Sequence, residues 1–119
     1  MENKTCKVLG FVAGTDYANN QIDHAFGMRR SPGSTIKPLA VYGPAVENNL
    51  INPSTVIPDT AFEITFEDGS TWTPTNYGGV VSGGLMTART ALLKSDNLPA
   101  VRIYQKLVEN NIPLFDYMT

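Results

Sequence analysis

The chain has 119 residues, a formal net charge of −2 and 42% hydrophobic residues. That length calls for one domain with a core of reasonable size, and the charge balance excludes a basic nucleic-acid binder and an acidic disordered tail. One histidine and one cysteine fall far short of a four-ligand metal set, and Cys6 alone forms no internal disulfide.

In chain order, "CKVLGFVAG", from Cys6, has the β-branched and aromatic content of a strand, and Gly14 to Gly33 reads as a long loop. From Ser34 to about Asn48 the pattern is helical, with Leu39, Tyr42 and Val46 on one side and a bend or break expected at Gly43-Pro44. "INPSTVIPD" reads as a loop punctuated by Pro53 and Pro58. In "AFEITFEDGSTWTP", Phe62, Ile64 and Phe66 alternate before a turn at Asp68-Gly69, the pattern of a β-hairpin. After Tyr77-Gly78-Gly79 come two helical stretches, "TARTALLK" and "LPAVRIYQKLVENN", the second with Val101, Tyr104, Leu107 and Val108 as its apolar stripe. No apolar run approaches the length of a membrane span, and "MENKTCK" has neither the h-region nor the cleavage site of a signal peptide.

Two short stretches carry chemistry. In "RRSPGSTIKPLA", Pro32 and Gly33 bring the chain through a tight bend into a helix that begins at Ser34, with Pro38 in its first turn. Ser34 and Lys37 then sit one turn apart on the same face. A serine hydroxyl becomes a useful nucleophile when a neighbouring base takes its proton, and a partly desolvated lysine serves as that base. The free N–H groups of the helix start favour an oxyanion beside Ser34. By itself S-x-x-K reads first as a serine cap followed by a solvated lysine, and a second element is needed to favour the catalytic pair. The second stretch, Ser95-Asp96-Asn97, lies between the two later helices; there Asn97 is a plausible N-cap and Pro99 suits the turn after it.

S-x-x-K followed by S-D-N is the paired signature of class A β-lactamases and penicillin-binding proteins. The resemblance to the transpeptidase domain of class A, bifunctional penicillin-binding proteins extends along almost the whole chain. "KVLGFVAGTDY" resembles the strand and turn before their active serine, "RSPGSTIKP" their serine motif, "WTPTNYGG" their tryptophan-proline-asparagine-tyrosine segment, and "TARTALLKSDNLPAVRIYQKL" their helix pair with the second motif. Cys6 departs from the pattern, standing where the family commonly has a glycine at a turn. The Lys-Thr/Ser-Gly motif of the family is also missing, the one "KT" being Lys4-Thr5, before Cys6.

The resemblance implies an α+β chain, part of a β-lactamase/transpeptidase-like fold, with a mainly helical subdomain, one sheet strand and a short hairpin. Residues 1–119 would be the N-terminal half of that domain, a fragment that is feeble or inactive alone. It implies a serine D,D-transpeptidase of peptidoglycan cross-linking in which Ser34 is the nucleophile, Lys37 the base, Ser95 a proton relay and Asn97 a partner of the substrate amide and of Lys37. Asp96 would face inward to hold the loop. The partners implied are the D-Ala-D-Ala end of a peptidoglycan stem peptide, β-lactam antibiotics and the C-terminal half of the domain; no metal or other cofactor is called for. An unpaired strand edge would favour self-association. The parent protein is expected at the extracytoplasmic face of the bacterial membrane. A non-catalytic binding or assembly module on the same scaffold and a serine β-lactamase fragment are the alternative readings.

Other residues invite weaker readings. Asp23 and His24 with Ser34 supply the ingredients of a hydrolase triad, but neighbours in sequence seldom aim at one point, and His24 reads as a loop residue. Arg29 and Arg30 read as loop-positioning cations before a site for an anionic substrate group, Trp72 and Tyr77 as packing aromatics before peptide contacts lining the cleft, and Tyr104 as core.

Overall fold

The computed structural model describes residues 1–118, which divide into two units, Met1–Pro32 and a second that begins at Gly33. The first unit holds turns and no regular element. Asp23 Oδ1 accepts from the N–H groups of Ala25 and Phe26 at 2.9 and 3.2 Å, and His24 Nδ1 lies 2.8 Å from Ala13 O. Both residues of the imagined triad are thus committed to the loop. Phe11 and Phe26 meet edge to face with centroids 5.0 Å apart. Cys6 closes a turn onto Glu2 O at 2.9 Å with φ +57°, a left-handed geometry that glycine adopts freely.

The strand expected over residues 7–13 does not form. A strand is defined by its ladder, and these residues have only isolated backbone bonds, from Glu2 N–H to Lys7 O and from His24 N–H to Ala13 O, both at 2.9 Å; Val8, Leu9, Phe11 and Val12 are exposed.

Among the described residues the second unit contains three α-helices and two small antiparallel sheets. It opens on a helical run: a 3₁₀ turn at Gly33–Thr35, a π-helical turn at Pro38–Tyr42 and helix α1 at Gly43–Glu47. The bend or break expected at Gly43-Pro44 takes the form of a widened turn. Pro44 has no N–H to give, and the Gly43 N–H reaches back five residues to Pro38 O. A Cβ on Gly43 would lie 2.7 Å from that carbonyl, so the turn needs glycine. The buried side of the run is Val41, Tyr42 and Ala45, whereas Leu39 and Val46, two of the three residues assigned to it from the pattern, are exposed.

Strand β1 (Val56–Pro58) pairs with β4 (Leu85–Thr87), and β2 (Ile64–Thr65) with β3 (Thr71–Trp72). The second pair is the hairpin read from the alternation, closed by Phe66 N–H to Ser70 O at 2.8 Å with Gly69 at φ +81°. The first pair corrects the reading of residues 51–59 as a loop throughout. Helices α2 (Ala88–Lys94) and α3 (Asn97–Glu109) follow, α2 starting on Thr87, whose side chain accepts from Thr90 N–H. The core joins Ala45, Ile51, Ile57, Met86, Ala91, Ile103 and Leu107, so the helical run, the β1–β4 pair and both later helices share one interior. On α3 the buried residues are Leu98, Pro99, Ala100, Ile103 and Leu107; Tyr104, expected in the core, is 46% exposed. No helix among the described residues is long and apolar enough to cross a membrane.

Candidate active site

Ser34 sits in the centre of the 3₁₀ turn, exposed, after Gly33 at φ +56°. That φ is the bend that glycine permits. Lys37 follows three residues later in helical geometry and is buried, at 8% exposure. Its Nζ lies 2.6 Å from Ser95 O, 3.2 Å from Ser95 Oγ and 2.7 Å from Asn97 Oδ1. Among the described residues Nζ makes no hydrogen bond to Ser34. Two of the four site residues read from the sequence, Ser95 and Asn97, therefore converge on the amine of a third, with Ser34 one turn away.

The second motif is built by how α2 stops. Ser95 takes the left-handed conformation, φ +58° and ψ +34°, and closes the helix with its N–H on Ala91 O and Leu92 O. This turns both its carbonyl and its hydroxyl to Lys37. Asn97 is the first residue of α3 and not its cap; Asp96 holds the cap position without a side-chain bond. Freed from capping, the Asn97 side chain accepts from Lys37 and donates to Thr75 O at 2.7 Å.

Burial pushes the Lys37 amine below its ordinary pKa, and the Asp96 carboxylate pulls it back in part. Tyr42, whose buried hydroxyl has no hydrogen-bond partner, is pushed up to about 12 by burial and then by Asp96. Asp96 is thus a charge felt by both Lys37 and Tyr42. Beside Lys37 and Asn97 runs a groove of about 520 Å³ walled by Trp72, Pro74, Val101 and Tyr104. Trp72 at 46% exposure and Tyr77 at 97% are surface aromatics, which corrects their reading as packing residues.

Sequence reasoning missed Asp59 and Asn76. Asn76 lies inside the quoted "WTPTNYGG", but nothing local signals its distant partners Asp59 and Asn97, which sit 17 and 21 residues away. Among the described residues no group of three or more His, Cys, Asp or Glu could hold a metal ion.

The penicillin-binding protein transpeptidase domain matches residues 1–118. The chain belongs to that family. Among its relatives, penicillin-binding protein 2D of Bacillus subtilis is 34% identical over 114 residues, 94% of this chain and 16% of the relative. Penicillin-binding protein 1A of Neisseria gonorrhoeae is 35% identical over 109 residues, 90% of this chain and 13% of the relative. Penicillin-binding protein 1F of Bacillus subtilis is 35% identical over 101 residues, 85% of this chain and 13% of the relative. The chain therefore spans about a seventh of the length of these penicillin-binding proteins. Within the family frame, the Lys37 cluster unites the first motif with the second.

Proposed function

We propose that this chain is the nucleophile-bearing part of a serine D,D-transpeptidase of cell-wall cross-linking, folded as part of a β-lactamase/transpeptidase-like domain. Ser34 Oγ attacks the carbonyl between the two terminal D-alanines of a peptidoglycan stem peptide, and Lys37 takes its proton. Ser95, hydrogen-bonded to the same amine, passes a proton to the departing D-alanine amine, leaving an ester on Ser34. An amine from a second stem peptide then attacks that ester and regenerates the serine. A β-lactam enters by the same attack, but its ring-opened amine stays tethered and the ester persists.

The observation that carries this reading is the buried Lys37 amine, held below its ordinary pKa and bonded to Ser95 and Asn97, one turn from an exposed serine. A lysine so placed is equipped to be a base. Family membership supports the same chemistry. The reading assigns the opposite cleft wall, with its Lys-Thr/Ser-Gly strand, to a partner segment, and the site of action to the extracytoplasmic face of the bacterial membrane. Without that wall one oxyanion donor is lost, which slows acylation by about a hundredfold to a thousandfold. Long incubation of the chain with a penicillin, followed by peptide mass spectrometry, should find the adduct on Ser34 and none on Ser95. An adduct elsewhere, or none after days at saturating penicillin with or without a supplied partner segment, would overturn the assignment.

A further inference from the structure

The Lys37 cluster rests on two side chains that take no part in the chemistry proposed above. Asp59 is 2% exposed; its Oδ1 accepts from Asn76 Nδ2 at 2.7 Å and its Oδ2 from Ser82 N–H at 2.9 Å. Asn76 is also buried, and its Nδ2 donates a second bond to Val80 O at 3.0 Å. With both amide hydrogens committed, Asn76 Oδ1 has a single orientation. It accepts from the backbone N–H groups of Asn97 and Leu98 at 2.8 and 3.0 Å. Helix α3, whose own cap residue Asp96 makes no side-chain bond, is therefore capped by a residue 21 positions away.

The neighbouring residue completes the grip. Thr75 O takes the Asn97 Nδ2 hydrogen, which leaves Asn97 Oδ1 facing Lys37 Nζ. A reversed Asn97 amide would set its NH₂ group against the amine and lose both bonds.

We propose that Asn76, oriented by the buried carboxylate of Asp59, is the positioning residue of this site: it fixes the start of α3 and with it the acceptor that Asn97 turns to Lys37. The inference rests on reading Lys37 as the centre of the site. Position 76 needs a donor towards Asp59 and an acceptor towards two N–H groups, which an amide supplies. A carboxylate there would still accept from α3 but would face the Asp59 carboxylate at hydrogen-bond distance, where two like charges cannot both ionise. Exchanging the two groups restores one carboxylate and one amide at the contact but takes the donor away from Val80 O, so recovery is partial.

Three variants of the 119-residue chain test this: Asn76→Ala, Asn76→Asp, and Asp59→Asn combined with Asn76→Asp. Amide hydrogen exchange at Asn97 and Leu98 and an NMR titration of Lys37 Nζ are followed; neither requires that Ser34 be acylated. Ser95, Asn97 and Asp96 are the groups that act on Lys37 during that titration. Both single variants should raise exchange at the two amides about tenfold or more, the effect of one net hydrogen bond, and displace the Lys37 curve along the pH axis. The exchanged pair should return both readouts towards wild type. Folded single variants with an unmoved Lys37 curve would overturn the proposal, as would a folded exchanged pair that restores neither readout. Unfolding of all three variants would also count against it, because the contact would then be structural alone. If the expected shifts appear in a chain that penicillin never labels, the proposed chemistry fails and the positioning role stands.

Discussion

At the scale of single residues, Lys37 separates charge from basicity. Lys37→Arg keeps the cation, but a guanidinium stays protonated at any accessible pH, so penicillin acylation of Ser34 should fall nearly as far as in Ser34→Ala. If Ser95 is the relay proposed above, Ser95→Ala should cost about a hundredfold to ten-thousandfold, with labelling still measurable by mass spectrometry. Because burial lowers the Lys37 pKa from 10.5, the acylation rate should climb with pH through that lowered value and level off before the ordinary lysine range. The sign for stability follows: the unfolded chain binds this proton more tightly, so stability gains from Lys37 as pH rises through the folded pKa towards 10.5. Ser95 adds a backbone test. Its φ of +58° costs an L-residue about 1 kcal/mol, which glycine escapes. Ser95→Gly should thus melt above Ser95→Ala while both lose the relay. The serine-lysine spacing and S-D-N were legible in the sequence as residue types. The removal of Asn97 from capping duty was not, because it depends on Asn76, whose reach is tertiary.

At the scale of elements, the legible features are those whose partners are close in sequence. The β2–β3 hairpin could be read from alternation and Asp68-Gly69, since strand and turn lie within one short stretch. The β1–β4 pair could not, because Val56 meets Thr87 across the whole hairpin and Pro58 gives β1 the look of a loop. Helix α3 misled for another reason: of its expected stripe Leu107 is buried and Val101 half-buried, but Tyr104 and Val108 are exposed, and the core takes Ala100 and Ile103 beside Leu107. Two substitutions test the supports of these elements. Gly43→Ala drives a methyl into Pro38 O and should destabilise the chain by about 1–3 kcal/mol in denaturant unfolding. For Asp59, burial is the largest influence and raises its pKa, but hydrogen bonds from Ser82 and Asn76, with the Lys94 charge, outweigh it and leave the pKa lowered. A lowered carboxylate contributes stability that is present above the unfolded value of about 3.9 and is lost as pH falls through the folded value. Asp59→Ala should cost about 3 kcal/mol near neutral pH, and the difference from wild type should shrink in acid.

For the molecule as a whole, every residue of the shared core comes from the second unit, between Val41 and Leu107. Removing residues 1–32 should therefore leave the melting temperature within a few degrees of the whole chain in calorimetry. The exposed apolar run at Val8, Leu9, Phe11 and Val12 presents backbone with no ladder, so the whole chain should associate with rising concentration in light scattering and the truncated chain should not. The absent strand at residues 7–13 is the largest departure from the sequence reading, and its cause is global: composition favours extension, but a sheet must supply the neighbour. The Lys37 cluster has a global consequence of its own. Its bonds join residues 58 and 60 positions apart, and such contacts form only after the entropy of closing a long loop has been overcome. During refolding, helical circular dichroism should return first, while Lys37 still lacks Ser95 and Asn97. Covalent capture of penicillin, sampled over the same time course, would then act as a clock for the last closure, dating the moment at which the two ends of that loop meet.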